Sequence, residues 1–442
     1  MGVRWHLPLF LYMEHKSAYQ YAAIINSRMR QRQASHARLH TPLQHMAFYG
    51  DPSSFTEKST MAVYITVFFT VLNQIAMKGN RMLVALYAIE LKASPMMIGV
   101  LISMYAIFPL MLAVYAGRYS DRHGVRRPLI LGSFGMCISL MIPAIFPRMP
   151  ALFVSAALVG IANIFFHVAS HNLIGSLGDA SERTSNFGTF SLGAAISGML
   201  GPMLVGFLVD RVGYTNTYYT LVAIALIPGI SLLFYYGFIP AKIISKAEKV
   251  AGSVRDLLTD PRLRNTLLTG GMIVTGIDLF NFYMPIHGRS IGLSASLIGV
   301  IIGMQAAAAF VVRLWMPHMA RRFGETRILT WCLLMAGMTF LLFPVFEQPL
   351  ILAAISFLLG LALGCGQPLS IILIYNQSPP GRAGEALGLR LTVNKFTQIM
   401  VPMLFGSLGA AFGVYPIFWS SALLLLAGGY SNAKMEKKTV AE

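Results

Sequence analysis

Charge is what this chain has least of. Of its 442 residues, 12% are Asp, Glu, Lys or Arg, while 56% are hydrophobic and the mean hydropathy is +0.64. A soluble protein of this composition would expose apolar patches that aggregate, so a soluble fold is excluded. Windows almost free of charge, such as Leu129 to Phe146, Ala151 to Ser176 and Leu350 to Tyr375, each have about the length a helix needs to cross roughly 30 Å of hydrocarbon. Acids are scarcer still. The 17 Asp and Glu are scattered, without the cluster at one membrane face that a membrane-embedded enzyme needs. The three cysteines, Cys137, Cys332 and Cys365, all fall in apolar windows and offer neither a disulfide framework nor metal-ligand spacing. No glycine-rich nucleotide loop appears, which leaves direct ATP drive unsupported.

What is there is a series of apolar runs. They predict an all-α integral membrane protein with twelve spans, near 62–90, 96–117, 128–147, 150–176, 186–209, 216–239, 264–287, 296–317, 328–345, 350–375, 386–409 and 413–431. The corresponding domains are a basic arm over 1–60, a six-helix bundle over 61–239, a linker over 240–263, a second bundle over 264–431 and a tail over 432–442. The arm reads as disordered, or as an over-long gene start with Met46 or Met61 as the true first residue. Its "LPLFLYM" is too short for a span or a secretory core. No window remains for a further soluble domain.

The basic residues are unevenly placed. With the N-terminus inside, 25 Lys and Arg fall in inner segments and 4 (Lys92, Arg148, Arg211 and Arg289) in outer loops. The positive-inside rule then puts both termini in the cytoplasm of a multi-pass protein of the cytoplasmic membrane. It also accounts for the net charge of +17 without nucleic acid. The expected partners are the lipid bilayer and a small-molecule substrate, with the chain acting as a monomer.

An internal repeat runs through the chain at a constant offset of 200. "SPMMIGVLISMYA" (94–106) matches "SASLIGVIIGMQA" (294–306), "DRHGVRRPLIL" (121–131) lies opposite "RRFGETRILTW" (321–331), and "GPMLVGFLVDRVGY" (201–214) lies opposite "VPMLFGSLGAAFGV" (401–414). Two six-span halves in the same orientation, related by a parallel repeat, are an architecture of secondary transporters.

The loop Gly117-Arg118-Tyr119-Ser120-Asp121-Arg122-His123-Gly124-Val125-Arg126-Arg127 resembles the loop 2–3 signature of the major facilitator superfamily, G-x-x-[AS]-D-R-x-G-x-[RK]-[RK]. The resemblance implies an inner-gate motif of Gly117, Asp121, Arg122, Gly124, Arg126 and Arg127. In it Asp121 would latch one half to the other at the inner face, and Arg321 stands where the second copy would need an acid. Ser197 to Gly206, with Gly201, Pro202 and Gly206, is similar to the Gly-Pro motif of the superfamily's antiporters, and these small residues suit close helix packing. Its glycines are sparser than in the full motif, and "SAALVGIANIFF" on the fourth span lacks the buried arginine of drug:proton antiporters. The resemblance covers about 60–430.

Polar residues inside spans are costly and normally face a cavity. Gln74, Lys78 and Arg81 share a face of the first span; Asn163, His167, Ser170 and His171 form a stripe on the fourth; Thr275, Asp278 and Asn281 do so on the seventh. Gln367 on the tenth is the repeat mate of His167, and Arg390, Asn394 and Gln398 share a face of the eleventh with Lys395 alongside. In the superfamily the first, fourth, seventh and tenth helices line the central cavity. The expected cavity is therefore Gln74, Lys78, Arg81, Asn163, Asp278, Asn281, Gln367, Asn394 and Lys395. Its fixed cations outnumber its acid, which favours an anion and disfavours a cationic drug. Lys78 and its repeat mate Asp278 either neutralise each other or flank a ligand. Arg390 and Arg313 are expected to snorkel to the membrane face. His167 and His171, one turn apart, are candidates to carry a coupling proton or to hydrogen-bond neighbouring helices, since imidazoles titrate nearest neutral pH. Asp278 competes for the proton.

The sequence thus predicts a secondary transporter of a small anionic organic solute, driven by the proton gradient through alternating access, with no cofactor, no metal and no catalytic residue. The alternative within transporters is multidrug efflux by proton antiport. A membrane-embedded enzyme and a transporter-like sensor are the remaining classes.

Overall fold

A computed structural model of the chain describes residues 52–177, 180–234, 254–379 and 382–441. Nearly all of the expected N-terminal arm, the end of the sixth expected span (235–239) and residues 240–253 of the expected linker lie outside the described residues. Every described element is helical, and there is no strand among the described residues. The helices are α1 (Pro52–Glu90), α2 (Pro95–His123), α3 (Arg126–Ile145), α4 (Met149–Ser176), α5 (Ala180–Phe234), α6 (Val254–Thr259), α7 (Pro261–Ser290), α8 (Ala295–Phe323), α9 (Glu325–Leu342), α10 (Pro349–Gly364), α11 (Gly366–Gln377), α12 (Ala383–Phe412) and α13 (Tyr415–Ala441).

Among the described residues, nine helices are long and apolar enough to cross a membrane. One of the nine, Ser185–Phe234, spans 50 residues and bends at Gly213, whose φ is 79°. Two helices therefore meet there, and the break expected between 209 and 216 falls at this non-helical glycine. α12 falls outside the nine because Arg390, Asn394, Lys395 and Gln398 dilute its apolar residues, and α13 falls outside as well. The tenth expected span is divided, with α10 ending at Gly364 and α11 starting at Gly366.

Local sequence explains the ends. Ser94 and Ser294 each cap a helix by accepting a hydrogen bond from the backbone N–H three residues on, Met97 and Leu297, both at 3.3 Å. Gly124 and Gly324 close α2 and α8 at φ 75° and 81°, a backbone conformation glycine adopts without penalty. The same φ region recurs at Gly213 and Gly413 and at Lys92 and Gly292. Each of these pairs is 200 residues apart. The outer surface carries large apolar side chains such as Met111, Trp315, Leu350 and Leu423, which suits contact with lipid. Many buried serines and threonines return their hydroxyls to the carbonyl four residues back, as Thr66 does to Ala62 at 2.7 Å, whereas the hydroxyls of Ser133, Ser155 and Ser356 have no partner among the described residues.

The helices before and after the described gap at 235–253 meet along two seams. In one, α2 packs on α12: a Cβ added at Gly99 would strike the Pro402 carbonyl, and one at Gly406 would lie 2.9 Å from the Pro95 carbonyl. In the other, α8 packs on α5: Gly299 lies against the Pro202 carbonyl and Gly206 against the Ala295 carbonyl. Glycine at all four positions lets backbone touch backbone. The contacts Gly99–Pro402 and Gly299–Pro202 are related by the offset of 200. So are Gly406–Pro95 and Gly206–Ala295. At the other ends of these helices, a Cβ at Gly117, Gly188 or Gly388 would meet nothing within 4 Å.

Candidate functional site: a cationic centre between the halves

The stripe on α1 is held from both sides. Gln74 Nε2 donates to Asn163 Oδ1 on α4 at 3.4 Å, tying two of the expected cavity residues together. Arg81 Nη1 donates to Asp278 Oδ1 on α7 at 2.9 Å, an ion pair linking the two halves. Lys78 does not pair with Asp278, its repeat mate. Lys78 lies one turn from Arg81, and its Nζ reaches α5 instead, donating to the Ala194 carbonyl at 2.6 Å and the Ser197 hydroxyl at 3.3 Å. The Asp278 side chain is 5% exposed, and its second oxygen has no hydrogen-bond partner among the described residues.

On the other side, Lys395 Nζ donates to Gln398 Oε1 at 2.9 Å within α12. Asn394 is buried with Oδ1 unpartnered. Asn281 turns its amide back to the Ile277 carbonyl at 2.8 Å. Arg390 does not snorkel. It is 5% exposed, and it donates to the Gln367 side chain at 2.5 Å, the Gln367 carbonyl at 3.3 Å and the Ser370 hydroxyl at 3.0 Å. Gln367 thus joins the site through Arg390. Its position follows the break at Cys365, where carbonyls lose their usual helical partners.

Arg313 also departs from the snorkelling expectation. Its Nε donates to the Gly364 carbonyl at 3.0 Å, and its Nη1 donates across the halves to the Ser191 carbonyl and hydroxyl at 3.1 and 3.4 Å. The reason lies in the helix. α8 continues to Phe323, past the expected end near 317, which leaves Arg313 about 15 Å along the axis from that end. The interior helix break then supplies a nearer acceptor than the membrane face. The available sequence signal was an arginine in an apolar span; its partners Ser191 and Gly364 carry no such mark.

The imidazoles of His167 and His171 have centroids 4.4 Å apart, tilted by 48°, and pack on Phe190 and Phe187 of α5. Ser170, placed in the same stripe by sequence, separates from them. It bonds the Phe166 carbonyl at 2.9 Å and lines an apolar crevice with Thr66, Phe69, Leu129, Phe166, Leu173 and Leu232.

The loop motif lies at the end of α2 remote from Gly99. Gly117 is in α2, Arg122 is exposed near its end, Gly124 terminates it, and Arg127 sits in the first turn of α3. Arg126 donates to the Leu232 and Leu233 carbonyls at 3.4 and 3.2 Å, holding the last turn of α5. The side chain of Asp121 lies outside the described residues. Gly201 backs onto α1, where a Cβ would lie 3.0 Å from both the Gly79 nitrogen and the Ile75 carbonyl. Pro202 and Gly206 face α8, so one short motif seats α5 on both neighbours.

The family model of the Major Facilitator Superfamily matches this sequence over residues 66–347 and again over 266–433. The chain belongs to the major facilitator superfamily. It is therefore a multi-pass membrane protein of a transporter family. Among curated relatives it is 24% identical over 348 residues to an uncharacterized MFS-type transporter, YuxJ, of Bacillus subtilis, covering 75% of this chain and 86% of that protein. It is likewise 24% identical over 353 residues to the multidrug resistance protein MdtG of Klebsiella pneumoniae, covering 78% and 84%. Two crystal structures share the fold: the nucleoside transporter NupG (TM-score 0.70, 13% identity, 84% of this chain and 99% of that one) and a peptide transporter of the POT family (TM-score 0.71, 14% identity, 90% and 96%).

Proposed function

We propose that this major facilitator chain is a proton-coupled secondary transporter of a small organic anion, working by alternating access in the cytoplasmic membrane as a monomer, with both termini inside and no cofactor. Twelve spans in two bundles, 61–239 and 264–431, joined by the linker 240–263, form its frame. The recurrence of helix caps, positive-φ positions and seam contacts at an offset of 200 supports that frame. Each seam then serves as a rocking surface between the halves.

The observation that carries the anionic assignment is how the interior cations are partnered. Arg81 has a carboxylate, Asp278. Lys78, Arg313 and Arg390 are held by backbone carbonyls, hydroxyls and an amide, and Lys395 by the amide of Gln398. Neutral dipoles orient a cation but leave its charge in place, and in a low-dielectric cavity that charge attracts an anion. Of the candidates for the coupling proton, the His167–His171 pair has no carboxylate bonded to it among the described residues, whereas Asp278 is engaged by Arg81. Asp121 is assigned the inner-gate latch.

A second reading, multidrug efflux, is favoured by the MdtG relatives. Proteoliposomes of the purified chain, given an imposed pH gradient, separate the two. Accumulation of labelled carboxylates, with cationic dyes excluded, is the outcome expected here; movement of cationic dyes with no organic anion transported would transfer the assignment to drug efflux.

A further inference from the structure

Two cations from opposite halves converge on one face of α5. Lys78, from α1, donates to the Ala194 carbonyl and Ser197 hydroxyl. Arg313, from α8, donates to the Ser191 carbonyl and hydroxyl. Residues 191 and 194 lie three apart, about 4.5 Å along a helix axis, so an ammonium and a guanidinium sit side by side within electrostatic reach of each other. Among the described residues, neither is bonded to a carboxylate. One ammonium proton of Lys78 and the Nη2 of Arg313 have no acceptor there. The doublet is tightly seated, since a Cβ at Gly198 would lie 3.3 Å from Lys78 Nζ and 3.2 Å from Ala306 Cβ on α8.

Two like charges in an apolar interior repel unless something negative lies between them. We propose that Lys78 and Arg313 form the seat for the oxyanion group of the transported solute (a carboxylate, sulfate or phosphate), bound between the two halves against Ser191 to Ser197. This rests on the anion-transporter reading and assigns its binding determinant. The guanidinium offers a planar fork to an oxyanion, and the ammonium offers a point charge beside it. Because one cation comes from each half, an anion there draws α1 and α8 together across α5, linking occupancy to the packing of that seam.

The test is thermal stabilisation of the purified full chain in detergent by sodium benzoate and sodium sulfate, measured against chloride at equal ionic strength. A parallel arm adds the anionic lipid phosphatidylglycerol. The wild type should be stabilised by benzoate or sulfate, and K78Q and R313Q should each raise the apparent Kd at least tenfold. The double variant should lose little beyond either single one, because both groups hold one ligand. R313K keeps the charge without the fork and should weaken binding several-fold; it carries the comparison if R313Q does not fold. Stabilisation unchanged in K78Q, R313Q and R313K overturns this seat while leaving the anion reading intact. Stabilisation of the wild type by phosphatidylglycerol alone overturns it in favour of a lipid site. No stabilisation by any of these anions overturns the seat and the proposed function together.

Discussion

Replacing Asp278 by Asn tests how the two halves are held at the centre. Asn keeps the shape and one acceptor oxygen, so what is removed is the charge facing Arg81 at 2.9 Å. A pair of unit charges about 4 Å apart interacts by about 4 kcal/mol at an effective dielectric near 20, and removing one partner of a buried pair typically costs about 3–5 kcal/mol. Arg81 is 21% exposed and Asp278 is 5% exposed, so water recovers part of that loss for the arginine. The expected cost is about 2–3 kcal/mol. The assay is a double-mutant cycle of Asp278→Asn, Arg81→Gln and the double variant, followed by thermal unfolding in one detergent. Each single variant leaves an uncompensated charge or an unpaired carboxylate; the double variant leaves neither and should recover most of the stability. Additive losses, with the double variant less stable than either single one, would refute the pairing as an energetic link. The cycle also separates this pair from Lys78, because Lys78→Gln should show no coupling to Asp278→Asn.

Three further expectations concern the working cycle. His167→Gln should leave solute binding nearly intact and abolish accumulation driven by a pH gradient, while counterflow exchange survives; accumulation retained in this variant but lost in Asp278→Asn would move the proton site to Asp278. Gly299→Ala, whose methyl would overlap the Pro202 carbonyl, should lower transport at least tenfold and destabilise the α5–α8 seam, whereas Gly117→Ala, with nothing within 4 Å, should leave thermal stability unchanged; equal melting shifts for the two would contradict the seam geometry. Asp121→Asn should slow transport in vesicles without reducing expression, and wild-type rates in that variant would remove the latch from the mechanism.

Much of the fold is written along the chain. Apolar runs of bilayer length require helices because a backbone in hydrocarbon must satisfy its own hydrogen bonds, and the spacing of "SPMMIGVLISMYA" from "SASLIGVIIGMQA" places like elements 200 residues apart. The polar residues inside spans were likewise legible, since their cost alone marks them. What they touch was not. Lys78 and Asp278 share a repeat position, yet Arg81 takes the carboxylate and Lys78 turns to α5, because a step of three residues along α1 rotates a side chain from one neighbour to another. Arg313 and Arg390 looked like residues within reach of the membrane face. Helix α8 runs on past its apolar window, and the break at Cys365 frees carbonyls that no composition reveals. The sequence by itself determined the solvent, the helices and the scarcity of acid. Which cation found a carboxylate and which only a dipole was decided by tertiary structure, because that depends on helix rotation and approach at the scale of a single side chain.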